Sequence, residues 1–112
     1  MKTRAMKQFE IWLVSLDPTV GSEMAKTRPA MILSPDEMNA HLQTLLVAPI
    51  THSLKPWPFR IPTFLDEEKG QLCPDQLRSV SKKRLVKMLS ADPSVGVEAL
   101  KILREMFTSP TI

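Results

Sequence analysis

Apolar and polar positions along this chain alternate in short blocks. Phe9–Leu16 is apolar on both strand faces, with Phe9, Ile11 and Leu13 on one side and Trp12, Val14 and Leu16 on the other. That run predicts a strand buried on both faces in the middle of a sheet. Pro29–Leu33 predicts a second strand, and a polar twelve-residue connection, Asp17–Arg28, separates the two. Asp17-Pro18 ends the first strand because proline lacks an amide donor and fixes its own φ. Gly21 is a permissive backbone position within the loop, and Pro29 biases Arg28 toward extended backbone as the second strand begins. A tight hairpin needs only two residues, so a connection this long and this charged predicts a functional loop.

Downstream, Ser34-Pro35-Asp36-Glu37 predicts a short helix. Ser34 is the expected N-cap, Pro35 the first helical residue, and Glu37 the partner in a capping box. It ends near His41 or Leu42, with His41 facing the helix dipole. Thr44–Ile50 predicts a third strand, and Pro49 suggests that it runs along an edge or carries a bulge. His52–Pro58 is a loop with Trp57 between prolines, Phe59–Phe64 a fourth strand, and Asp66–Gly70 a charged turn closed by Gly70. Further strand is expected in Gln71–Val80, bent at Asp75 after Pro74, and in Arg84–Leu89. Asp92-Pro93 opens a last helix, with Ala99, Leu100, Leu103, Met106 and Phe107 at helical spacing, a stripe suited to core packing or a dimer contact. Short, regularly spaced strands with one late helix predict a mainly β (α+β) fold, a small β-barrel with helices at its edges.

Composition narrows the class. A chain of 112 residues with 43% hydrophobic and 24% charged residues predicts one ordered domain, residues 1–112. No apolar run reaches membrane-spanning length, and MKTRAMKQFE lacks the apolar core of a secretion signal. The lone cysteine, Cys73, excludes an internal disulfide and fits a reducing cytoplasm. A net charge of +3 is too small to diagnose a nucleic-acid binder. Its placement is more informative, since Lys26 and Arg28, Lys55 and Arg60, then Arg78, Lys82, Lys83, Arg84 and Lys87 form three groups that one face could gather for phosphate contacts. Two isolated histidines and one cysteine make no metal-ligand spacing, and no phosphate-cradling glycine loop or nucleophile elbow is present. No metal and no cofactor are therefore expected.

DPTVGSE, KTRPA, VAPIT at Val47–Thr51 and DQLRSV at Asp75–Val80 occur in this order. Together they resemble the MazF/PemK family of toxins over residues 7 to 108. The resemblance implies an SH3-like barrel of the CcdB/MazF type, a homodimer with active sites along its interface groove, and ribosome-independent cleavage of single-stranded mRNA. It also implies a small antitoxin partner whose acidic tail displaces RNA. Arg28 matches the family's catalytic arginine in TRPA, and Thr51 its catalytic threonine after VAPI. An arginine fork suits a phosphorane bearing extra negative charge. The general base stays open between His52, which has a suitable pKa, and Glu23 of the GSE motif.

Asp75, Gln76 and Arg78 fall in the DQ motif, which in the family lies near the RNA groove. Asp75 is expected to pair with Arg28 or Arg78 or to accept from a base. Trp57 and Arg60 are candidates for base stacking and phosphate contact, with Lys26 beside the catalytic arginine. The chain departs from the pattern twice. Cys73 stands where some relatives carry arginine, leaving Arg78 as a substitute, and Phe9 stands where relatives commonly carry glycine. A non-enzymatic gyrase-binding poison similar to CcdB is the alternative, disfavoured because no tryptophan follows Trp57. An SH3-like peptide-binding module is disfavoured by the low aromatic count.

Overall fold

In the computed structural model, which describes residues 6–16 and 27–108, the sheet is organised around one strand, β3 (Thr44–Thr51). The other elements are β1 (Glu10–Ser15), β2 (Thr27–Ile32), α1 (Asp36–His41), β4 (Ile61–Leu65), β5 (Glu68–Leu72), β6 (Arg78–Ser81), β7 (Leu85–Ala91) and α2 (Pro93–Thr108). Single turns of 3-10 helix, Pro74–Gln76 and Lys82–Arg84, flank β6. The Asp17–Lys26 part of the long connection, with Glu23 and Lys26, lies outside the described residues.

All pairings are antiparallel, in the order β4-β5-β3-β2-β1-β7, with β6 also on β3. One side of β3 pairs with β2. The other side pairs with β6 over Thr44–Val47 and with β5 over Ile50–Thr51. Pro49 therefore does not mark a sheet edge. It lies where β3 changes partner, and its carbonyl accepts from the Cys73 amide at 2.9 Å. The donor that proline lacks falls on that same seam, where no ladder bond is lost.

Strand β1 is internal and apolar on both faces, as its pattern predicts. Its faces feed two cores: Ile11 packs with Met31, Leu33, Ala48, Ile50, Leu72 and Ala99, while Val14 and Leu16 pack with Ala30, Ile32, Leu45, Val47 and Val80. Two register shifts against β7 curl the sheet into a half-barrel. Helix α2 covers the first core through buried Ala99 and half-buried Val95, Leu100 and Leu103. Met106 and Phe107, at the end of the same stripe, are exposed. Asp92 caps this helix, its Oδ1 accepting from the Val95 amide at 3.2 Å.

Two local expectations are corrected. Ser34 is not the cap of α1. Pro35 occupies that position without a side-chain bond, and the Ser34 hydroxyl instead donates to Asn39 Oδ1 (2.5 Å) and accepts from the Leu46 amide (3.1 Å). A buried link between helix and β3 replaces the exposed cap. Gly70 does not close the β4–β5 turn. That turn is Asp66-Glu67, both at positive φ (49° and 68°), the backbone that a two-residue hairpin requires. Gly70 lies within β5, where an added Cβ would stand 2.7 Å from the Thr51 carbonyl oxygen.

The Phe9 departure has a structural counterpart. Phe9 sits at φ 75°, a left-handed conformation that glycine adopts more readily than phenylalanine. Its amide donates to Ile32 O at 2.7 Å and its carbonyl accepts from the Asp92 amide at 3.1 Å. Its ring lies against Gly96 so closely that any Cβ there would collide with it.

Candidate active site

Arg28 and Thr51 stand on neighbouring strands. The β2–β3 register sets Ala30 opposite Pro49. Carried on by two residues, it aligns Arg28 with Thr51, on the face that bears Ala30, Val47 and Val80. Arg28 is half-buried beside its β1 partner Val14. Among the described residues no carboxylate forms an ion pair with it. Thr51 is only 8% exposed. Its Oγ1 accepts from the Ser53 amide at 3.2 Å, which leaves the hydroxyl proton free to donate. Across β5, Thr51 pairs with Gln71, and the tight approach of Gly70 fixes the Thr51 carbonyl.

His52 does not share this face. With Pro29, Ile50, Thr63 and Gly70 it lines a small cavity of about 50 Å³ on the side of β3 opposite Thr51. Thr63, also in that lining, keeps a buried Oγ1 with no protein partner. The fold thus separates the adjacent pair Thr51-His52 through ordinary strand alternation.

A second polar cluster lies where the 3-10 turn Pro74–Gln76 meets the start of β4. Asp75 pairs with Arg60, and with neither Arg28 nor Arg78. Arg60 Nε donates to Oδ1 at 3.2 Å and Nη2 to Oδ2 at 3.0 Å. This two-point contact holds the guanidinium above its ordinary pKa, partly offset by burial. Arg60 also acts on the Cys73 thiol. The cation that acts on Cys73 is thus Arg60 and not Arg78, the substitute the sequence had offered. Burial pushes the Cys73 thiol up from its ordinary value, and the side chain is enclosed. Gln76 is half-buried in the same turn, its amide donating to the Cys73 carbonyl at 3.0 Å.

Trp57 is 47% exposed and stacks on Phe59, ring centroids 5.7 Å apart and planes 17° from parallel. Arg78 lies opposite Val47, on the face that bears Thr51. The third basic group divides: Lys82–Arg84 follow the Thr44 end of β3, with Arg84 Nη1 donating to Ser15 O at 3.3 Å, while Lys87 lies beside Leu13. Sequence reasoning missed Gln71. It is 6% exposed, and its Nε2 donates to the Lys55 carbonyl at 2.9 Å. A glutamine inside an apolar strand pattern was the only available signal. Among the described residues no His, Cys, Asp and Glu group could hold a metal ion, and no helix is long and apolar enough to cross a membrane.

A curled antiparallel sheet, one covering helix, and an arginine and a threonine on adjacent strands define a small SH3-like β-barrel protein. The chain belongs to the PemK-like, MazF-like toxin family of type II toxin–antitoxin systems, which it matches over residues 7–107. Endoribonuclease MazF9 of Mycobacterium tuberculosis is 33% identical over 119 aligned positions, covering 92% of this chain and 99% of the relative. Endoribonuclease toxin MazF of Escherichia coli K12 is 39% identical over 71 residues, covering 63% of each chain. Endoribonuclease PemK of E. coli is 48% identical over 46 residues, covering 41% of this chain and 35% of the relative. The chain thus spans less than two thirds of these two E. coli relatives. The fold is that of MazF from Deinococcus radiodurans (TM-score 0.78, 24% identity, 93% and 97% of the two chains). It is equally that of the MazE–MazF structure from the same organism (TM-score 0.77, 23% identity, 96% and 100%).

Proposed function

We infer that this chain is an endoribonuclease toxin that cleaves single-stranded mRNA at a short sequence and so halts translation. The observation that carries the reading is that Arg28 and Thr51 stand at the ends of neighbouring strands of a MazF-like barrel, in line when the β2–β3 register is extended by two residues. In the reaction the ribose 2′-oxygen attacks the adjacent phosphorus and the bond to the 5′-oxygen breaks. The products are a 2′,3′-cyclic phosphate and a 5′-hydroxyl. Arg28 holds the non-bridging oxygens and stabilises the charge that grows on them. The Thr51 hydroxyl, free to donate, orients a phosphate oxygen or the 2′-hydroxyl. A base must take the 2′-proton, and an acid, either the same group once protonated or water, must return a proton to the leaving 5′-oxygen. Glu23 is the better candidate, because His52 lines the cavity on the other side of β3.

Arg78 and Gln76 contact the RNA strand, Lys26 is assigned a phosphate contact from its place in the KTRPA motif alone, and exposed Trp57 stacks a base. Arg60 with Asp75 buttresses that path, two donors of Arg60 being committed to the carboxylate. The chain works as a cytoplasmic homodimer of one-domain subunits. A cognate antitoxin covers the cleft, as the MazE–MazF neighbour suggests by its composition.

The test is incubation of the purified protein with a long single-stranded RNA in EDTA, beside Arg28→Ala, followed by analysis of fragment ends. Discrete fragments with cyclic-phosphate and 5′-hydroxyl ends, reduced at least a hundredfold in Arg28→Ala, are expected, about the effect of one lost transition-state donor. Intact RNA from folded protein across several unrelated sequences overturns the reading and directs attention to gyrase.

A further inference from the structure

We propose that Gln71 is a positioning residue that couples the strand bearing Thr51 to the loop bearing Trp57; the inference rests on the nuclease reading above. Gln71 sits directly opposite Thr51 in the β3–β5 ladder and opposite Pro62 in the β4–β5 ladder. Its side chain is almost wholly buried. Nε2 donates to the carbonyl of Lys55 at 2.9 Å, sixteen residues away in sequence, and the same carbonyl accepts from the Trp57 amide at 2.8 Å. A carbonyl only accepts, so the amide orientation is forced, and Oε1 turns away from the loop. That oxygen is buried and has no protein partner.

These facts separate Gln71 from an ordinary packing residue. A buried acceptor without a partner is unfavourable by itself, so an apolar side chain of similar length would suit the core better. What the glutamine adds is one bond, and that bond ends on the backbone two residues before Trp57. That bond runs from the side chain of a β5 residue to the backbone of the 52–60 segment. Its effect is to fix the distance between the cleavage strand and the stacking ring, so that a base resting on Trp57 keeps the scissile phosphate in register with Thr51 and Arg28.

Gln71→Met, made in a Trp12→Phe background so that Trp57 alone fluoresces, tests this in two ways. Acrylamide quenching of Trp57 should rise clearly while the melting temperature stays level or increases. Steady-state cleavage should show KM for a long RNA raised roughly tenfold, the scale of one base-stacking contact. Cleavage of an RNA cut back to the nucleotides beside the scissile bond should be unchanged. Unchanged quenching and unchanged KM overturn the proposal. So does a lowered melting temperature with equal losses on both substrates, which marks Gln71 as merely structural. If the parent protein cleaves no RNA, the nuclease reading fails, and the quenching result still decides whether Gln71 tethers the loop.

Discussion

Thr51 is held by its neighbours more than by its own side chain: Gln71 pairs with it across β5, Gly70 crowds its carbonyl, and Ser53 donates to its hydroxyl. Gly70→Ala therefore tests geometry without touching the chemistry. The new methyl would meet backbone 2.7 Å away and push the end of β3 aside. A stability loss of about 1–3 kcal/mol is expected, the usual cost of overpacking, with a larger fractional loss of RNA cleavage than the melting temperature predicts. Cys73 makes a second prediction at this scale. Burial raises its thiol pKa above the ordinary 9.0, so the folded protein keeps a proton that the unfolded chain releases first. Stability from this group is complete below the unfolded pKa and falls as pH rises through and beyond it. Denaturant melts of wild type and Cys73→Ala between pH 7 and 10.5 should show a steeper alkaline decline in the wild type, and iodoacetamide should label the thiol only after unfolding.

The β4–β5 hairpin holds two non-glycine residues at positive φ, Asp66 and Glu67. Replacing Glu67 by glycine relieves a left-handed side-chain clash at some entropic cost, for an expected gain of about 0.5–1 kcal/mol, read from the urea midpoint at constant slope. That turn also shows why some elements were hidden in the sequence. Asp66 marks a turn, but with Glu67 and no glycine after it the pair does not spell a two-residue hairpin, whereas Gly70 looks like a turn residue and belongs to a strand. Elements whose signals are local were legible: β1 from its two apolar faces, α2 from Asp92-Pro93 and its stripe. Elements set by distant partners were not. Ser34 looked like a cap because the Leu46 amide that binds it lies twelve residues away. Pro49 looked like an edge because nothing in a strand's own sequence says that its partner changes there. The candidate site divides the same way. Arg28 and Thr51 are candidates on motif grounds, while the Arg60–Asp75 pair and the Gln71–Lys55 bond depend on how the 52–60 segment folds back on β5.

On the scale of the whole molecule, an excess of three positive charges is modest, so the proposed RNA binding would depend on where cations stand. Arg78 shares the Thr51 face and lies four residues along the β3 register from it, about 13 Å at the usual rise per residue. Lys82–Arg84 follow Ser81, which pairs with Thr44 at the opposite end of β3, about 23 Å from Thr51 by the same rise. A strand of RNA centred on Arg28 and Thr51 meets the first group before the second. Binding of an RNA made uncleavable by a 2′-deoxy substitution at the scissile nucleotide should weaken steeply with salt, each neutralised phosphate contributing about −0.7 to the slope of log K against log salt. Arg78→Ala should make that slope shallower by about that amount, and Lys83→Ala should leave it unchanged. Equal effects from the two variants would mean that the RNA runs the length of β3 rather than lying across its Thr51 end, and would move the proposed cleft toward the 3-10 turn at Lys82–Arg84.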